Sequence, residues 1–416
     1  MNRSEDKRRV PRGEILSWAM FDFANSAYIT VVVTVVGGLY FKNVLMAGRQ
    51  DAEFWWGAAL GLANAMVVVL SPVVGALGDA MARKKFFLLV SYVMCFSGTV
   101  VFGLPVVWAV ALAGLVLAHV GFALGENLIS SFLPEIARPE EVGRISALGW
   151  GIGYFGGLAS LGLALVVIEV LRWPAGWGIL VTAFFFALAG LPTLLFLRER
   201  AVARCGEVGA AVGGAVSALW STVLELRCYR DLGLFFVSFF CVMAGLGNVV
   251  MFASLFAEEQ LRMSQGEIIA MFVVLQLSAA AGAWLFGWLQ DRAGSKTALC
   301  VAVLVWLGVV LGVVFVRDKS AFYFAAVFAG LAMGGSQCTA RAVVGLLSPT
   351  GRSGEFYGFW GVFGKLSAVV GAPLFGWLAS TTDLRTALLS TLGWFVLGFV
   401  TLLFVRVEKP SLGGRG

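Results

Sequence analysis

The chain has 416 residues, of which 60% are hydrophobic and 13% are charged. An ordinary soluble domain carries roughly twice that charged fraction, so the composition excludes a soluble globular protein. The net charge is +6. In a chain this apolar, a basic excess indicates cationic loops against anionic membrane lipids and excludes a nucleic-acid partner.

Hydrophobic runs of about 20 residues, long enough to cross a bilayer, recur twelve times along the chain. The predicted fold is therefore all-α, a polytopic membrane protein with twelve transmembrane helices. Glycines at 149, 153 and 157, and at 57 and 61, form small-residue stripes that predict close helix packing. The predicted helices cover 16–41, 54–78, 86–104, 106–133, 146–170, 175–197, 232–257, 266–290, 297–316, 321–347, 356–380 and 385–405.

Lys and Arg residues are distributed unevenly between the two sides of the membrane. The tails, 1–15 and 406–416, and the loops on the same side carry three times as many of them as the opposite loops. The positive-inside rule then predicts that both termini are cytoplasmic. We expect a multi-pass protein of the bacterial inner membrane.

The longest gap between predicted helices, 198–231, separates an N-terminal bundle at 16–197 from a C-terminal bundle at 232–405. It begins with cationic residues, continues through small residues at 206–214, and then becomes amphipathic. This pattern predicts a flexible linker followed by a helix on the inner leaflet. A hinge between the bundles and a passive tether both fit it.

A short motif, Gly-x-x-x-Asp followed by basic residues, occurs after the second and the eighth predicted helix. The two aspartates lie 212 positions apart, and Trp150-Gly151 recurs as Trp360-Gly361 at a similar offset. Two six-helix halves therefore share one repeat. The motif residues are Gly75, Asp79 and Arg83 in the first copy, and Gly287, Asp291, Arg292 and Lys296 in the second.

This repeated loop resembles the hallmark inner loop of the major facilitator superfamily (MFS). The resemblance implies two pseudo-symmetric six-helix bundles, alternating access and a monomer. It also implies that the loop charges steady the outward-facing state. The first copy has Ala80 and Ala82 where Arg and Gly are usual, so we expect the weaker charge network there.

Four charged residues lie at similar depth well inside predicted helices: Asp22, Glu126, Arg341 and Lys365. A charge in hydrocarbon costs several kcal/mol, so such residues usually face water, a partner charge or a transported solute. The acids belong to the first half and the bases to the second, each roughly 9–14 Å inside its helix end. They predict either a gate that closes by charge pairing or a site that holds a zwitterion between the halves.

Uncharged polar residues on the same helices are further candidates for the pathway. His119 is the only histidine and shares a helix face with Glu126, so a proton relay and a structural hydrogen bond are both open. Asn25 shares a face with Asp22, and Gln337 with Arg341. The remaining lining candidates are Asn64, Asn248 and Gln276.

The sequence contains no nucleotide-binding, nucleophile-elbow or metalloprotease motif. We therefore expect no enzymatic activity, no cofactor and no metal, and a gradient, with a possible coupling proton or ion, as the driving force. The six cysteines match no metal-binding or CxxC spacing and are expected to be free thiols.

Three segments resemble the autophagy-related vacuolar effluxer branch of the superfamily and its bacterial members. They are Ser17-Trp18-Ala19-Met20-Phe21-Asp22-Phe23-Ala24-Asn25-Ser26, then Phe132-Leu133-Pro134-Glu135-Ile136-Ala137 with Gly143-Arg144-Ile145-Ser146, and Glu355-Phe356-Tyr357-Gly358 with Gly364-Lys365. The resemblance implies export of small solutes, amino acids in the fungal members. The positions that match its motifs are Asp22, Asn25, Glu135, Arg144 and Lys365.

Three functions fit these observations. The first is a secondary carrier for a small polar or zwitterionic metabolite. The second is an exporter of an amphipathic drug, siderophore or lipid-like compound, served by aromatic residues such as Phe21, Tyr28, Tyr154 and Trp360. The third is a membrane sensor or scaffold that transports nothing.

Overall fold

A computed structural model describes residues 10–201 and 229–407 of the chain. Within these residues all regular structure is helical, with no strand. Twelve of the helices are long and apolar enough to cross a membrane, which confirms the predicted fold class. They are labelled α1 to α12 in chain order and cover Arg12–Val35, Ala52–Met81, Lys84–Gly103, Trp108–Ile136, Val142–Val170, Ala175–Phe196, Arg230–Glu258, Gly266–Ala293, Ser295–Val313, Lys319–Leu347, Ser353–Thr381 and Leu384–Leu403.

The observed helix ends depart from the predicted ones mainly around α1. This helix ends at Val35 instead of residue 41, and the short helical turns Gly37–Tyr40 and Phe41–Leu45 follow it. The difference arises because hydropathy cannot distinguish one helix from successive short ones. Most of the predicted linker, including its amphipathic part, lies outside the described residues.

The outer surface of the bundle is apolar, as a lipid-facing surface must be. Leu188 is 71% exposed and Phe315 is 79% exposed, and many other large hydrophobic side chains share this position. Helices suit this environment because they satisfy backbone hydrogen bonds internally. Twelve such helices define a multi-pass membrane protein.

Each half packs within itself, and two helix pairs provide most of the contacts between the halves. In the first half α3 packs on α4 and α1 on α5, and in the second α8 packs on α10 and α7 on α12. Contacts between the halves come mainly from α2 with α11 and from α5 with α8. These two pairs flank the space between the halves.

The glycine stripe of α5 packs closely against α1, as predicted. A side chain at Gly149, Gly153 or Gly157 would meet α1 at Asp22, Ser26 or Thr30, respectively. The stripe on α2 differs, because a methyl group added at Gly57 or Gly61 would have no neighbouring atom within 4 Å. The packing role predicted for Gly57 and Gly61 is therefore wrong in this conformation.

Because the number of spanning helices is even, α1 begins and α12 ends on the same side of the bundle. We call this side the terminal end and the other the far end. Hydrogen bonds between the halves cluster toward the terminal end, where Ser353 donates to the Ser131 carbonyl at 2.9 Å and Ser146 donates to the Cys338 carbonyl at 2.7 Å. The two halves are thus joined at the terminal end.

Candidate functional site

Asp22 of α1 and Arg341 of α10 form an ion pair between the two halves, here called the central pair. The Arg341 Nη1 atom donates to Asp22 Oδ2 at 2.7 Å. The remaining guanidinium hydrogens reach α5, where Nη2 donates to the Ser146 carbonyl at 2.8 Å and Nε to the Ser146 hydroxyl at 3.2 Å. Both side chains are buried. The hydrogen bonds to Asp22 and Ser146 therefore replace the water that the buried guanidinium has lost.

Two tryptophans enclose the Arg341 guanidinium. Its central carbon lies 4.8 Å from the Trp18 ring centroid and 5.4 Å from that of Trp150. Gly149 makes room, because a side chain there would overlap both the Asp22 carboxylate and the guanidinium. The tryptophans and Gly149 therefore hold the central pair in one geometry.

Glu126 of α4 and Lys365 of α11, here called the cleft pair, also face each other across the halves. Their charges interact electrostatically, yet among the described residues neither makes an ion pair within 4.0 Å or a hydrogen bond. Both are partly exposed. The Lys365 ammonium lies 5.6 Å from the Phe122 ring centroid. An acid of one half and a base of the other therefore lie near each other without forming an ion pair.

Uncharged polar groups occur on the helices around the cleft pair. His119 Nε2 lies 3.2 Å from Asn64 Oδ1, and the rings of Tyr28 and Phe122 pack against the imidazole. Tyr154 donates to Gln337 Oε1 at 2.5 Å across the halves. The buried atoms without a hydrogen-bond partner in the described part of the chain include Asn25 Oδ1, Tyr28 Oη, His119 Nδ1 and Asn248 Oδ1. Unmade hydrogen bonds of buried groups are costly, which makes them candidates for ligand contacts.

The aromatic residues predicted to line the pathway take different positions. Phe21 is 1% exposed and packs edge-on against Phe186 inside the first half. Trp360 stacks on Phe239 inside the second half. Tyr28 and Tyr154 lie beside the polar groups of the cleft. Only part of the predicted aromatic lining therefore meets at one place.

At the terminal end, charged side chains of the first half and uncharged polar groups of the second half form a buried cluster, here called the rim network. Lys84 lies at its centre, with its Nζ atom 3.0 Å from Asp79 Oδ1, 2.8 Å from Glu135 Oε1 and 2.7 Å from the Ser353 hydroxyl. Asp79 Oδ2 accepts the backbone N–H of Glu355 at 2.9 Å. The network therefore links α2, α3 and α4 to α11 of the other half.

Arg83, the basic residue predicted for this loop, is exposed, while its neighbour Lys84 is 1% exposed. Gly75 lets the helices meet here, since a side chain would overlap the Gly354 carbonyl. Sequence reasoning placed Asp79 and Glu135 but missed Lys84, because three consecutive basic residues give no sign of which one turns inward.

The second copy of the motif makes fewer contacts than the first. Asp291 is exposed and accepts backbone N–H groups of Gly143 and Arg144, while the Arg144 side chain pairs with Glu141. Gly287 packs against Ala147 of α5. Arg292 lies over the Trp288 ring, and Lys296 donates to the Leu403 carbonyl at 2.6 Å.

The expectation that the first copy has the weaker charge network is therefore wrong. The Ala80 and Ala82 departures do not weaken it, because Lys84 supplies the missing cation from the start of α3.

Residues just after α6 connect to the rim network. Arg200 makes a two-point ion pair with Glu14, at 2.7 and 2.8 Å, and its backbone N–H donates to Glu135 at 3.1 Å. Glu199 accepts the backbone N–H of Lys84 at 2.5 Å. Burial raises the pKa of Glu199, although these N–H groups partly offset the effect. Sequence reasoning missed Glu14 and Glu199, whose only signal was their position at helix ends.

Comparisons with known proteins agree with this architecture. The human organic anion transporter MFSD10 (TETRAN) superposes with a TM-score of 0.75 at 16% identity, covering 94% of this chain and 99% of that one. FucP, an MFS transporter in the outward conformation, also gives 0.75 at 14% identity, covering 95% and 99%. These structures share the fold.

Sequence relatives extend the agreement. The uncharacterized MFS-type transporter YxiO of Bacillus subtilis is 25% identical over 410 residues, 95% of each chain. Autophagy-related protein 22 of Yarrowia lipolytica is 25% identical over 323 residues, 70% of this chain and 55% of that protein. The chain thus spans about half the length of the fungal relatives it matches.

The twelve-helix fold and these sequence relatives, which are transporters and not enzymes, identify the chain as a transporter of the major facilitator superfamily. The family model described as "Vacuole effluxer Atg22 like" matches residues 58–412. The chain belongs to this Atg22-like family. Both predicted resemblances, to the superfamily and to this branch, are confirmed.

Proposed function

We propose that the protein is a secondary active transporter that exports a small zwitterionic metabolite, such as an amino acid, across the bacterial inner membrane. The cleft pair carries the proposal, because Glu126 and Lys365 come from opposite halves and neither closes on a partner. A ligand with an ammonium and a carboxylate matches both charges at once. The effluxer name of the family and its fungal members supports the outward direction.

The proposed cycle rocks the two halves around the cleft pair. In the present conformation the central pair and the rim network join the halves at the terminal end, which the positive-inside rule predicts to be cytoplasmic. Loading from the cytoplasm then requires that both sets of contacts separate. Zwitterion binding between the halves favours the conformations in which Glu126 and Lys365 approach each other.

A coupling proton is part of the proposed mechanism. His119 and Glu126 lie on one face of α4, and His119 Nδ1 is a buried nitrogen without a partner in the described residues. The rate of flux with and without an imposed pH gradient, in the wild type and in His119→Gln, measures this coupling.

The test is counterflow of labelled amino acids into vesicles that contain the purified protein. A thermal-shift screen of an amino-acid library first selects the labelled compound. We expect Glu126→Gln and Lys365→Met each to reduce flux at least 100-fold while the protein stays folded by size-exclusion chromatography. Glu53→Gln and Lys42→Met neutralise an exposed ion pair away from the cleft and serve as matched controls that keep flux.

Three outcomes contradict the proposal. Wild-type flux in both cleft variants would show that Glu126 and Lys365 do not bind the substrate. Inhibition by hydrophobic cations without inhibition by any amino acid would favour export of an amphipathic compound. Absence of flux for every class, with a soluble protein bound instead, would favour the sensor or scaffold.

A further inference from the structure

One face of α4 carries three groups that suit a cation. His119, Phe122 and Glu126 follow one another at intervals of three and four residues, so their side chains lie on the same side of the helix. Glu126 supplies a carboxylate, and Phe122 supplies the negative face of an aromatic ring. We call these three residues the α4 cation face.

His119 contributes a hydrogen-bond acceptor to this face. Its Nε2 atom lies 3.2 Å from Asn64 Oδ1, which can only accept, so in the neutral imidazole the ring proton is on Nε2. The Nδ1 atom then carries a lone pair, and it is buried without a hydrogen-bond partner in the described part of the chain. An ammonium group that reaches the face can donate to this atom and satisfy it.

The Lys365 ammonium of the second half already lies against the α4 cation face. Its Nζ atom is 5.6 Å from the Phe122 ring centroid, and its charge acts on both Glu126 and His119. Within residues 10–201 and 229–407 this ammonium makes no hydrogen bond and no ion pair. The aromatic ring and the charge of Glu126 attract it, but no short contact fixes it in place.

We propose that Lys365 is a specificity-determining residue, a tethered cation that occupies the place of the substrate ammonium on the α4 cation face. A zwitterion replaces it, because the ammonium of the zwitterion binds the face and the carboxylate pairs with the displaced Lys365. A cation without a carboxylate leaves Lys365 beside a second positive charge and is rejected. This inference rests on the proposed function in placing the substrate at the cleft pair, and it adds that both charged groups of the substrate are required.

The experiment measures the binding of 2-phenylethylamine, a cation without a carboxylate, to the full chain in a neutral detergent. The aromatic ring of this probe suits the adjoining rings of Tyr28 and Phe122, whose centroids are 5.2 Å apart. Calorimetric titration and thermal unfolding report the apparent affinity for the amine. Size-exclusion chromatography confirms that each variant is folded.

Lys365→Ala should raise the apparent affinity for 2-phenylethylamine at least tenfold, because it uncovers the α4 cation face. Lys365→Arg keeps a cation at this position and should bind the amine as weakly as the wild type does. Adding Glu126→Gln to Lys365→Ala should abolish the gain, because the amine then has no counter-charge. Lys42→Ala removes an exposed lysine paired with Glu53 and should bind the amine like the wild type.

A second substitution keeps the test decisive if Lys365→Ala does not fold. Lys365→Met removes the charge with less loss of side-chain volume, and it should also bind the amine more tightly than the wild type. A role of Lys365 in stability alone would lower the unfolding temperature in these variants without creating a binding site for the amine.

Any of three results would overturn the proposal. The first is a folded variant without the Lys365 charge that binds no more amine than the wild type. The second is an equal gain in Lys365→Arg, and the third is an undiminished gain after Glu126→Gln is added, which would place the amine elsewhere. Amino-acid counterflow without gained amine binding contradicts this inference alone, whereas gained amine binding without counterflow contradicts only the proposed export.

Discussion

Asp22 and Arg341 are 319 positions apart in the chain, yet their side chains meet at 2.7 Å between the two halves. The contact involves the opposite charges that the sequence placed in opposite halves. It also removes Arg341 from the set of groups open to a solute, because its guanidinium is 1% exposed and bonded to Asp22 and Ser146. The central pair therefore joins the two halves by charge, whereas Glu126 and Lys365 are charges from opposite halves that, within the described residues, make no ion pair.

Asp22→Asn should lower the free energy of unfolding by about 3–5 kcal/mol, because it leaves Arg341 buried without a counter-charge. Arg341→Gln should lower the free energy of unfolding by a similar amount. The double variant should lose less stability than the sum of the losses in the two single variants. Denaturation in detergent measures the three values as a double-mutant cycle. Additivity within about 0.5 kcal/mol would show that the two residues do not interact.

The exposed pair Lys42 and Glu53 provides the reference for that cycle. Their side chains are 53% and 78% exposed. Their coupling should be no more than about 1 kcal/mol, the range of surface ion pairs.

Lys84→Met should destabilise the closed terminal end, because Asp79 and Glu135 then lose their shared cation. The neighbouring substitution Arg83→Met is the matched control, since Arg83 is exposed and lies outside the rim network. A cysteine introduced at Ser353, which is 5% exposed, reports closure through its rate of maleimide labelling. We expect labelling at least tenfold faster with Lys84→Met and little change with Arg83→Met. Equal rates in both variants would mean that Lys84 does not hold the halves together.

Gly75→Ala should open the terminal end without changing any charge. The added methyl group overlaps the Gly354 carbonyl, so α2 and α11 must separate. Gly57→Ala on the same helix has no atom within 4 Å of the new methyl and should be neutral. Labelling at position 353 again gives the comparison. A closed end in the Gly75 variant would show that α11 adjusts within the joined state.

Glu199 should give the terminal end a dependence on pH. Burial raises its pKa above the ordinary 4.5, so the folded protein binds this proton more tightly than the unfolded chain does. The contribution of Glu199 to stability is then fully present below its unfolded pKa and is lost as pH rises through the raised value. Glu199→Gln should remove this slope from unfolding temperatures measured between about pH 4 and 7. An unchanged slope in the variant would assign the dependence to other groups.

The helices were predictable because hydropathy over about 20 residues reports directly on the bilayer. The sequence also predicted which half each buried charge belongs to, since this needs only the residue type and its position within a predicted helix. What could not be read was which charges meet. The pairing of Asp22 with Arg341 depends on Gly149 allowing close approach, and the inward turn of Lys84 depends on Glu135 and Ser353 from distant helices.

Gly57 and Gly61 illustrate the same limit. A glycine stripe indicates that close packing is possible, but not that a neighbour occupies the space. On α5 the neighbour is α1, whereas near these α2 glycines there is none within 4 Å. Whether a glycine stripe is packed depends on the conformation of the transporter. A local sequence pattern does not specify that conformation.

The central pair also constrains how the protein is made. Asp22 enters the membrane with the first helix. Its partner, Arg341, is synthesised 319 residues later as part of the tenth helix. Until then Arg341 is not available to pair with Asp22. An ionised carboxylate inside the membrane without a counter-charge raises the free energy of the chain. Without α10 the first half has no Arg341 for Asp22, so we expect a proton, water or another polar group to take that place until the second six helices are inserted.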